Sequence, residues 1–238
     1  MRAATALLSH AAALMLRDPK ATVRVTVLPY LLAHVPLALL PDADTPRGMS
    51  ALVLGMAAEF AFLAAIAWMA VAWHRFVLAG ESGWPLPPAP VGRVAAYAGW
   101  VAVFEIAVIA VSALAIWSVS LSGQAGDGML SAAFYLLIFA AAVLFGRLGA
   151  ILPAVALGPV DRILDGWRAT RGATGALALC YLVVLLAEEA AFHIAAGVTT
   201  DTGLSQVLQA LLAYPAILSG IALLTATYLR YVRPAAAG

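Results

Sequence analysis

The sequence predicts an all-α membrane protein, a polytopic bundle of transmembrane helices. Hydrophobic residues make up 64% of its 238 positions and charged residues 11%, whereas soluble domains have about half and about a quarter. Apolar stretches of roughly 20 residues, the length needed to cross about 30 Å of hydrocarbon, recur along the chain. One water-soluble core could not bury so much apolar surface, so the bilayer is the expected solvent.

Six apolar stretches make the chain one membrane domain over residues 1–238. Short polar segments such as PDADTPRG and SLSGQAGDG separate them. The fourth stretch is long enough to tilt in the bilayer. The predicted spans are residues 21–40, 50–73, 94–119, 129–157, 173–196 and 204–229.

Two further segments are predicted to be interfacial helices at the cytoplasmic face. Residues 3–16 are apolar but too short to span, and RDPK follows them. In residues 160–171, Val160, Ile163, Leu164 and Trp167 recur at i, i+3, i+4 and i+7, while the charged residues lie mainly on the rest of the helix surface. Such an amphipathic pattern is typical of a helix that lies in the membrane surface.

The distribution of basic residues predicts the orientation. With six spans and a cytoplasmic N-terminus, 11 of the 13 Lys and Arg residues fall on the cytoplasmic side. Only Arg47 lies outside and Arg147 within a span. Because basic residues favour the cytoplasmic side, both termini are expected there, in a multi-pass protein of the cell inner membrane.

A layer of ionisable residues is predicted inside the bilayer, where such side chains are costly. Counting from the span boundaries places most of them at similar depth. Arg147 stays charged and needs a carboxylate partner, and Glu105 on the preceding span is the closest in depth. The candidate polar layer consists of His34, Glu59, Glu105, Arg147, Glu188 and Glu189.

Three interpretations of this layer stay open. It fixes helix register, or it lines a polar cavity that conducts protons or holds a cationic ligand, or Glu188 or Glu189 faces a partner subunit or a lipid headgroup. The single cysteine, Cys180, lies in an apolar run and is expected to fill the core. Aromatic and basic residues at span ends are expected to contact lipid at the interface: Trp73, His74, Arg75, Arg162, Trp167, Arg168 and Arg171.

No catalytic or cofactor motif is found. The sequence has no metal-ligand spacing, no phosphate-binding glycine loop, no nucleophile elbow and no HExxH. Catalytic residues, metal ligands and cofactors are therefore not expected. A net charge of +1 gives no reason to expect nucleic acid as a partner.

Three short motifs carry a resemblance to a known group. They are WHRFVLAGE after the second span, RLGAILPAVALG in the fourth and DGWRATRG after it. The chain resembles bacterial six-span inner-membrane proteins of unassigned function, similar to the membrane domain associated with glycerophosphodiester phosphodiesterases. The resemblance implies a stand-alone membrane module without the catalytic domain of those enzymes, and it transfers no catalytic residue.

The functional hypothesis is a non-catalytic integral inner-membrane protein with a structural, scaffolding, partner-binding or lipid-binding role. Its expected partners are membrane lipids and a membrane protein, either another chain or a second copy. The alternative is a small transporter or channel that uses the intramembrane Glu and Arg residues. A third class, a membrane enzyme acting on lipids, would need carboxyl or histidine groups at headgroup depth, for which His74 and Glu81 are the candidates.

Overall fold

The computed structural model describes residues 1–38, 49–83, 89–121, 127–158, 160, 164–199 and 201–236. These residues form helices and the turns between them, and none of them lies in a strand. The all-α class is therefore confirmed. Arg162 lies outside the described residues.

Each predicted span corresponds to a helix, and so does the predicted interfacial helix at residues 3–16. Of the second interfacial helix, predicted over 160–171, residues 161–163 lie outside the described residues, and α7 accounts for residues 164–169. The helices are α1 (Arg2–Leu16), α2 (Pro19–Ala38), α3 (Met49–Ala79), α4 (Val91–Leu121), α5 (Asp127–Leu148), α6 (Leu152–Leu157), α7 (Leu164–Ala169), α8 (Thr174–Val198), α9 (Thr202–Thr227) and α10 (Arg233–Ala236).

Four helical stretches are long and apolar enough to cross a membrane. They are Val53–Ala79, Phe139–Leu157, Arg171–Val198 and Gly203–Val232. The chain is therefore a membrane protein by the length and composition of its helices. Arg2–Leu16 is a shorter apolar helix.

Helix α3 extends six residues beyond the predicted end of the second span at Trp73. Its last turns pack against α4, α6 and α9, so protein covers them. Gly80 then ends the helix with φ +72°, a conformation that favours glycine. The amide of Gly80 donates to the carbonyl of Phe76 at 3.1 Å, and the amide of Glu81 donates to that of Arg75 at 3.4 Å. The first bond is the one expected where a glycine in the left-handed conformation ends a helix.

The fourth predicted span continues from α5 through a 3₁₀ turn, Gly149–Ile151, into α6. After Gly158 the chain turns back, and α7 packs on α5 and on the 3₁₀ turn. A Cβ atom on Gly166 would lie 3.2 Å from the carbonyl oxygen of Arg147 and 3.1 Å from the amide nitrogen of Ile151. Only a residue without a side chain allows this close approach.

Helix α1 packs against α8 and α9. The thiol of Cys180 on α8 donates to the carbonyl of Ala4 at 3.5 Å. Near the other end of α1, the sulfur of Met15 lies 3.8 Å from the hydroxyl of Ser219 on α9. Cys180 is fully buried, as expected for a core residue.

These contacts fix the direction of α1. A Cβ on Gly220 would lie 3.5 Å from Val184, so Cys180 and Ser219 differ in level by only about 7 Å along the antiparallel helices α8 and α9. The two ends of α1 that touch them are about 16 Å apart along its own axis. Helix α1 therefore runs across the bundle rather than along it.

Most of the large, fully buried side chains lie at one end of the bundle, and helix α2 is counted with neither half. We call this end the core half, built from residues 2–16, 67–79, 91–104, 145–157, 164–184 and 216–232. The remaining parts of α3, α4, α8 and α9, residues 49–66, 105–121, 185–198 and 202–215, form the open half. Fully buried side chains such as Trp73, Leu152 and Leu223 lie in the core half, whereas Phe60, Ile106 and other large apolar side chains of the open half are exposed.

Candidate functional site

A buried polar network joins three helices in the core half. Trp73 Nε1 donates to the hydroxyl of Thr225 at 3.1 Å, and His74 Nδ1 lies 2.9 Å from the same hydroxyl. His74 Nε2 lies 3.2 Å from the hydroxyl of Tyr97. The Thr225 hydroxyl also lies 3.2 Å from the carbonyl of Ile221. The network therefore connects α3, α4 and α9.

One proton assignment satisfies every group in this network. The Thr225 hydroxyl donates to Ile221, and it accepts from Trp73 and from His74 Nδ1–H. His74 Nε2 then accepts from the Tyr97 hydroxyl. This assignment requires a neutral imidazole, because a protonated ring has no acceptor nitrogen. A buried histidine with both ring nitrogens bonded to other helices is typical of a structural contact rather than of a general acid or base that reaches a substrate.

The prediction that Trp73 and His74 contact lipid is wrong. Both side chains have 0% exposure, so neither reaches the surface of the protein. An aromatic residue followed by two basic ones fits two environments equally well. It can anchor a helix end at the lipid interface, or it can lie in a helix end that other helices cover. Packing of α6 and α9 on this part of α3 decides between them.

Arg75 is held by the turn that ends its own helix. Its Nε donates to Glu81 Oε2 at 2.8 Å, and a terminal nitrogen lies 2.6 Å from Oε1, so the pair is bidentate. The other terminal nitrogen donates to the carbonyl of Ala156 on α6 at 3.1 Å. The Arg75 side chain retains 16% exposure, which leaves little of it for a lipid headgroup. Arg75 and Glu81 therefore attach α6 to the end of α3.

Arg147 contacts α7 rather than a carboxylate. Its guanidinium carbon lies 3.5 Å from the centre of the Trp167 ring, and a terminal nitrogen donates to the Trp167 carbonyl at 2.6 Å. The residue is 7% exposed, and its Nε has no hydrogen-bond partner among the described residues. A cation over an indole face is stabilised by the ring quadrupole, and more strongly when water is excluded.

The predicted ion pair between Arg147 and Glu105 is wrong. Both residues are described, and no ion pair joins them. The prediction placed Arg147 within one span over residues 129–157, at the same depth as Glu105. Helix α7 instead folds back to the level of Arg147 and supplies an aromatic ring and a carbonyl.

The other members of the predicted layer separate into small groups. Glu59 and Glu105 are exposed neighbours on α3 and α4, close enough to interact electrostatically. Glu189 pairs with His193 one turn later at 3.1 Å, and both are exposed. The six residues do not converge on one centre.

His34 and Glu188 belong to a third group, where α2 meets α8 and α9. His34 Nδ1 lies 3.0 Å from the carbonyl of Tyr30, and its ring packs on that of Tyr30 at 4.5 Å. The carboxyl of Glu188 is close enough to act electrostatically on the Tyr30 hydroxyl, which donates to the carbonyl of Ala210. Tyr30 therefore links α2 to α9 beside a carboxyl group.

A second hydroxyl contact supports the same helix pair. Thr26 Oγ1 lies 2.6 Å from the hydroxyl of Tyr214, and it also lies 2.8 Å from the carbonyl of Thr22. The sequence analysis did not single out Thr26, Tyr214, Tyr97 or Thr225. Isolated Thr and Tyr residues within apolar spans are the available signal, since their hydroxyls need partners in lipid.

The remaining predicted interface residues lie on or beside α7. Trp167 is half-buried, and its ring and carbonyl are occupied by Arg147. Arg168 lies 3.5 Å from Asp165, and both side chains are exposed. Arg171 is exposed as well. Of the predicted lipid contacts, Arg168 and Arg171 are therefore the described ones with largely accessible side chains.

Three comparisons with known proteins find no relative of this chain. No protein-family model matches it, no curated protein matches it, and no solved structure is similar to it. Within the described part of the chain, no group of three His, Cys, Asp or Glu side chains could hold a metal ion. The class of the protein, an all-α membrane protein, is therefore defined by its own sequence and helices.

Proposed function

We propose that this chain is a non-catalytic scaffold of the membrane, with six spans and a face for a partner protein at the core half. One observation carries the proposal: the charged and polar side chains there fasten α6 and α7 to the bundle. Arg75 donates to Ala156 on α6, and Arg147 donates to Trp167 on α7. We call the two helices α6 and α7, Leu152–Leu157 and Leu164–Ala169, the α6–α7 hairpin. Its outward charged residues, Asp165 and Arg168, are exposed and available to a partner.

Two observations support six spans. The structure has a helix at each predicted span, including α2 and α4, which are 20 and 31 residues long. Helix α1 runs across α8 and α9, as a helix lying in the membrane surface would. The predicted orientation, with both termini in the cytoplasm of a bacterial cell, belongs to the same proposal and rests on the 11 basic residues of one side. The resemblance to bacterial six-span inner-membrane proteins also belongs to this proposal.

Single-cysteine labelling tests the topology. Cys180 is fully buried, so the natural chain should give little background with a membrane-impermeant maleimide. Ala3→Cys and Arg233→Cys should be labelled only after the membrane is permeabilised, which gives the reagent access to the cytoplasmic side. Thr199→Cys, in the turn between α8 and α9, should be labelled in intact spheroplasts. Ser82→Cys, in the turn after α3, distinguishes six spans from the four longest, since six spans place it in the cytoplasm and four place it outside. Labelling of Ser82→Cys in intact spheroplasts, or of the other three positions from the same side, would contradict the six-span arrangement.

Cross-linking in the native membrane tests the scaffold role. A photoreactive residue replacing Arg168 should give one discrete cross-linked partner. Arg147→Met, which releases α7, should abolish that product, while Gly55→Ala in the open half should keep it. A product that survives Arg147→Met, or the absence of any product beyond lipid, would contradict partner binding at the α6–α7 hairpin.

A small transporter or channel is the second candidate. The observation that favours it is a set of carboxyls, Glu59, Glu105 and Glu188, in helices of the open half. A charged group at that depth is costly unless it is protonated, hydrated or paired. Transport would be supported by a proton or cation flux in proteoliposomes that disappears in Glu188→Gln. The same flux should persist in Glu189→Gln, which changes an exposed carboxyl. Flux equal to that of empty vesicles would favour the scaffold.

A further inference from the structure

One face of α2 borders a shallow space of about 330 Å³ at the start of the helix, which is largely open to the surroundings and which we call the cavity. The lining residues are Lys20, Val23, Arg24 and Val27, at i, i+3, i+4 and i+7, so they share one side of the helix. The cavity thus combines two basic side chains with two apolar ones. Neither base was among the residues predicted to contact lipid.

Both basic side chains are accessible. Lys20 and Arg24 are exposed, and within the described ranges neither forms an ion pair. The nearest carboxylate in the sequence, Asp18, is engaged elsewhere, since its Oδ1 accepts from the amide of Ala21 at 3.0 Å. Neither positive charge of this face is therefore paired with a described carboxylate.

The apolar part of this face continues along α2. Val23 is 48% exposed, Leu31 51% and Val35 52%. From Val23 to Val35 the helix rises about 18 Å, close to one leaflet of hydrocarbon, which is about 15 Å thick. Positive charge at one end and an apolar stripe of leaflet length match the shape of a phospholipid.

We propose that this face of α2 binds one anionic phospholipid, with its phosphate between Lys20 and Arg24 and an acyl chain along Val23, Val27 and Leu31. Charge complementarity selects an anionic headgroup, and the adjoining stripe selects a lipid over free phosphate. The site requires only that the chain lies in a membrane. It therefore stands or falls independently of the scaffold role.

Lipid titration of the purified protein in mild detergent, followed by native mass spectrometry, tests the site. Phosphatidylglycerol should bind at least tenfold more tightly than phosphatidylcholine. Lys20→Gln with Arg24→Gln should weaken phosphatidylglycerol binding about 30-fold, because each basic residue near an anionic headgroup contributes about fivefold. Val23→Trp fills the cavity without changing charge, and it should weaken binding of the same lipid by about tenfold.

A matched double variant controls for loss of charge. Arg2→Gln with Arg233→Gln also removes two exposed bases, at positions far along the chain from the cavity. It should bind phosphatidylglycerol within about twofold of the natural chain. An equal loss in this control, no effect of Val23→Trp, equal binding of phosphatidylcholine, or displacement of the lipid by 10 mM inorganic phosphate would each overturn the proposal. Unchanged thermal unfolding in phosphatidylcholine micelles verifies that every variant is folded.

Discussion

The core half and the open half of this protein use the same helices in different ways. In the core half, α3 and α9 bury Met69, Trp73 and Leu223 and satisfy their polar groups through hydrogen bonds between helices. In the open half, the same two helices leave Phe60 and Leu211 largely exposed. Apolar side chains in hydrocarbon need no protein cover, whereas buried polar groups need partners. The difference indicates that lipid covers the exposed faces of the open half, beside the part covered by α2, whereas protein completes the core half.

Substitution of Arg147 should have the largest effect. Arg147→Met removes a hydrogen bond to the Trp167 carbonyl and a cation over the Trp167 ring. We expect a loss of about 3 kcal/mol in the free energy of unfolding, measured by SDS titration in mixed micelles, because each of the two interactions contributes about 1–2 kcal/mol when water is excluded.

A double-mutant cycle distinguishes the partner of Arg147. Arg147→Met and Trp167→Leu should be coupled by about 1–2 kcal/mol, and Arg147→Met and Glu105→Gln by less than about 0.5 kcal/mol. Strong coupling to Glu105 would restore the ion pair that the sequence predicted. It would also mean that Arg147 of the core half is bound to a residue of the open half, so the two halves would not differ in how they satisfy charged groups.

Gly146→Ala should have the second largest effect. A Cβ there would lie 2.7 and 2.8 Å from two ring carbons of Tyr181, which is buried and cannot move away. We expect a loss of about 1–3 kcal/mol in the same SDS titration, typical of an overpacked core. Gly55→Ala is the matched change in the open half, where nothing lies within 4 Å of the new Cβ. It should gain up to about 1 kcal/mol from helix propensity, and a loss at Gly55 would mean that the open half is covered by protein.

Thr225→Val should have a smaller destabilising effect. It leaves Trp73 Nε1 and His74 Nδ1 without their shared acceptor. Hydrogen bonds between membrane helices average about 0.6 kcal/mol each, so we expect a loss of about 1 kcal/mol. Thr227→Val is the control, because among the described residues its hydroxyl bonds within its own helix, to the carbonyl of Leu223 at 2.8 Å. Equal effects of the two substitutions would show that the network contributes nothing between helices.

Tyr181→Phe should have the smallest effect, and a favourable one. The Tyr181 hydroxyl is buried and has no hydrogen-bond partner in the described part of the chain. Its removal takes away an unsatisfied polar group and keeps the ring that packs on Phe145 at 5.8 Å. We expect a gain of up to about 1 kcal/mol in stability. A loss of that size would reveal a partner for the hydroxyl, such as a buried water.

The residues predicted from the sequence differ in how well the structure agrees with them. Cys180 is buried as expected, because a small apolar residue among Ala and Leu has the same preference in any bundle. Trp73 and His74 lie in the core rather than at the lipid interface. Hydropathy reports how apolar the surroundings of a helix are, but not whether lipid or protein provides them.

The sequence by itself determined that this is an all-α membrane protein, and it located the long helices and the short helix α1. Length and apolar composition are enough for that, because backbone groups in hydrocarbon must bond within a helix. Only the tertiary structure decided the partner of Arg147, the burial of His74 and the free basic face at Lys20 and Arg24. Each of these depends on which helix packs against which, and on where α7 folds back. Contacts between residues distant in sequence are set by the packed three-dimensional arrangement and leave no periodic trace along the chain.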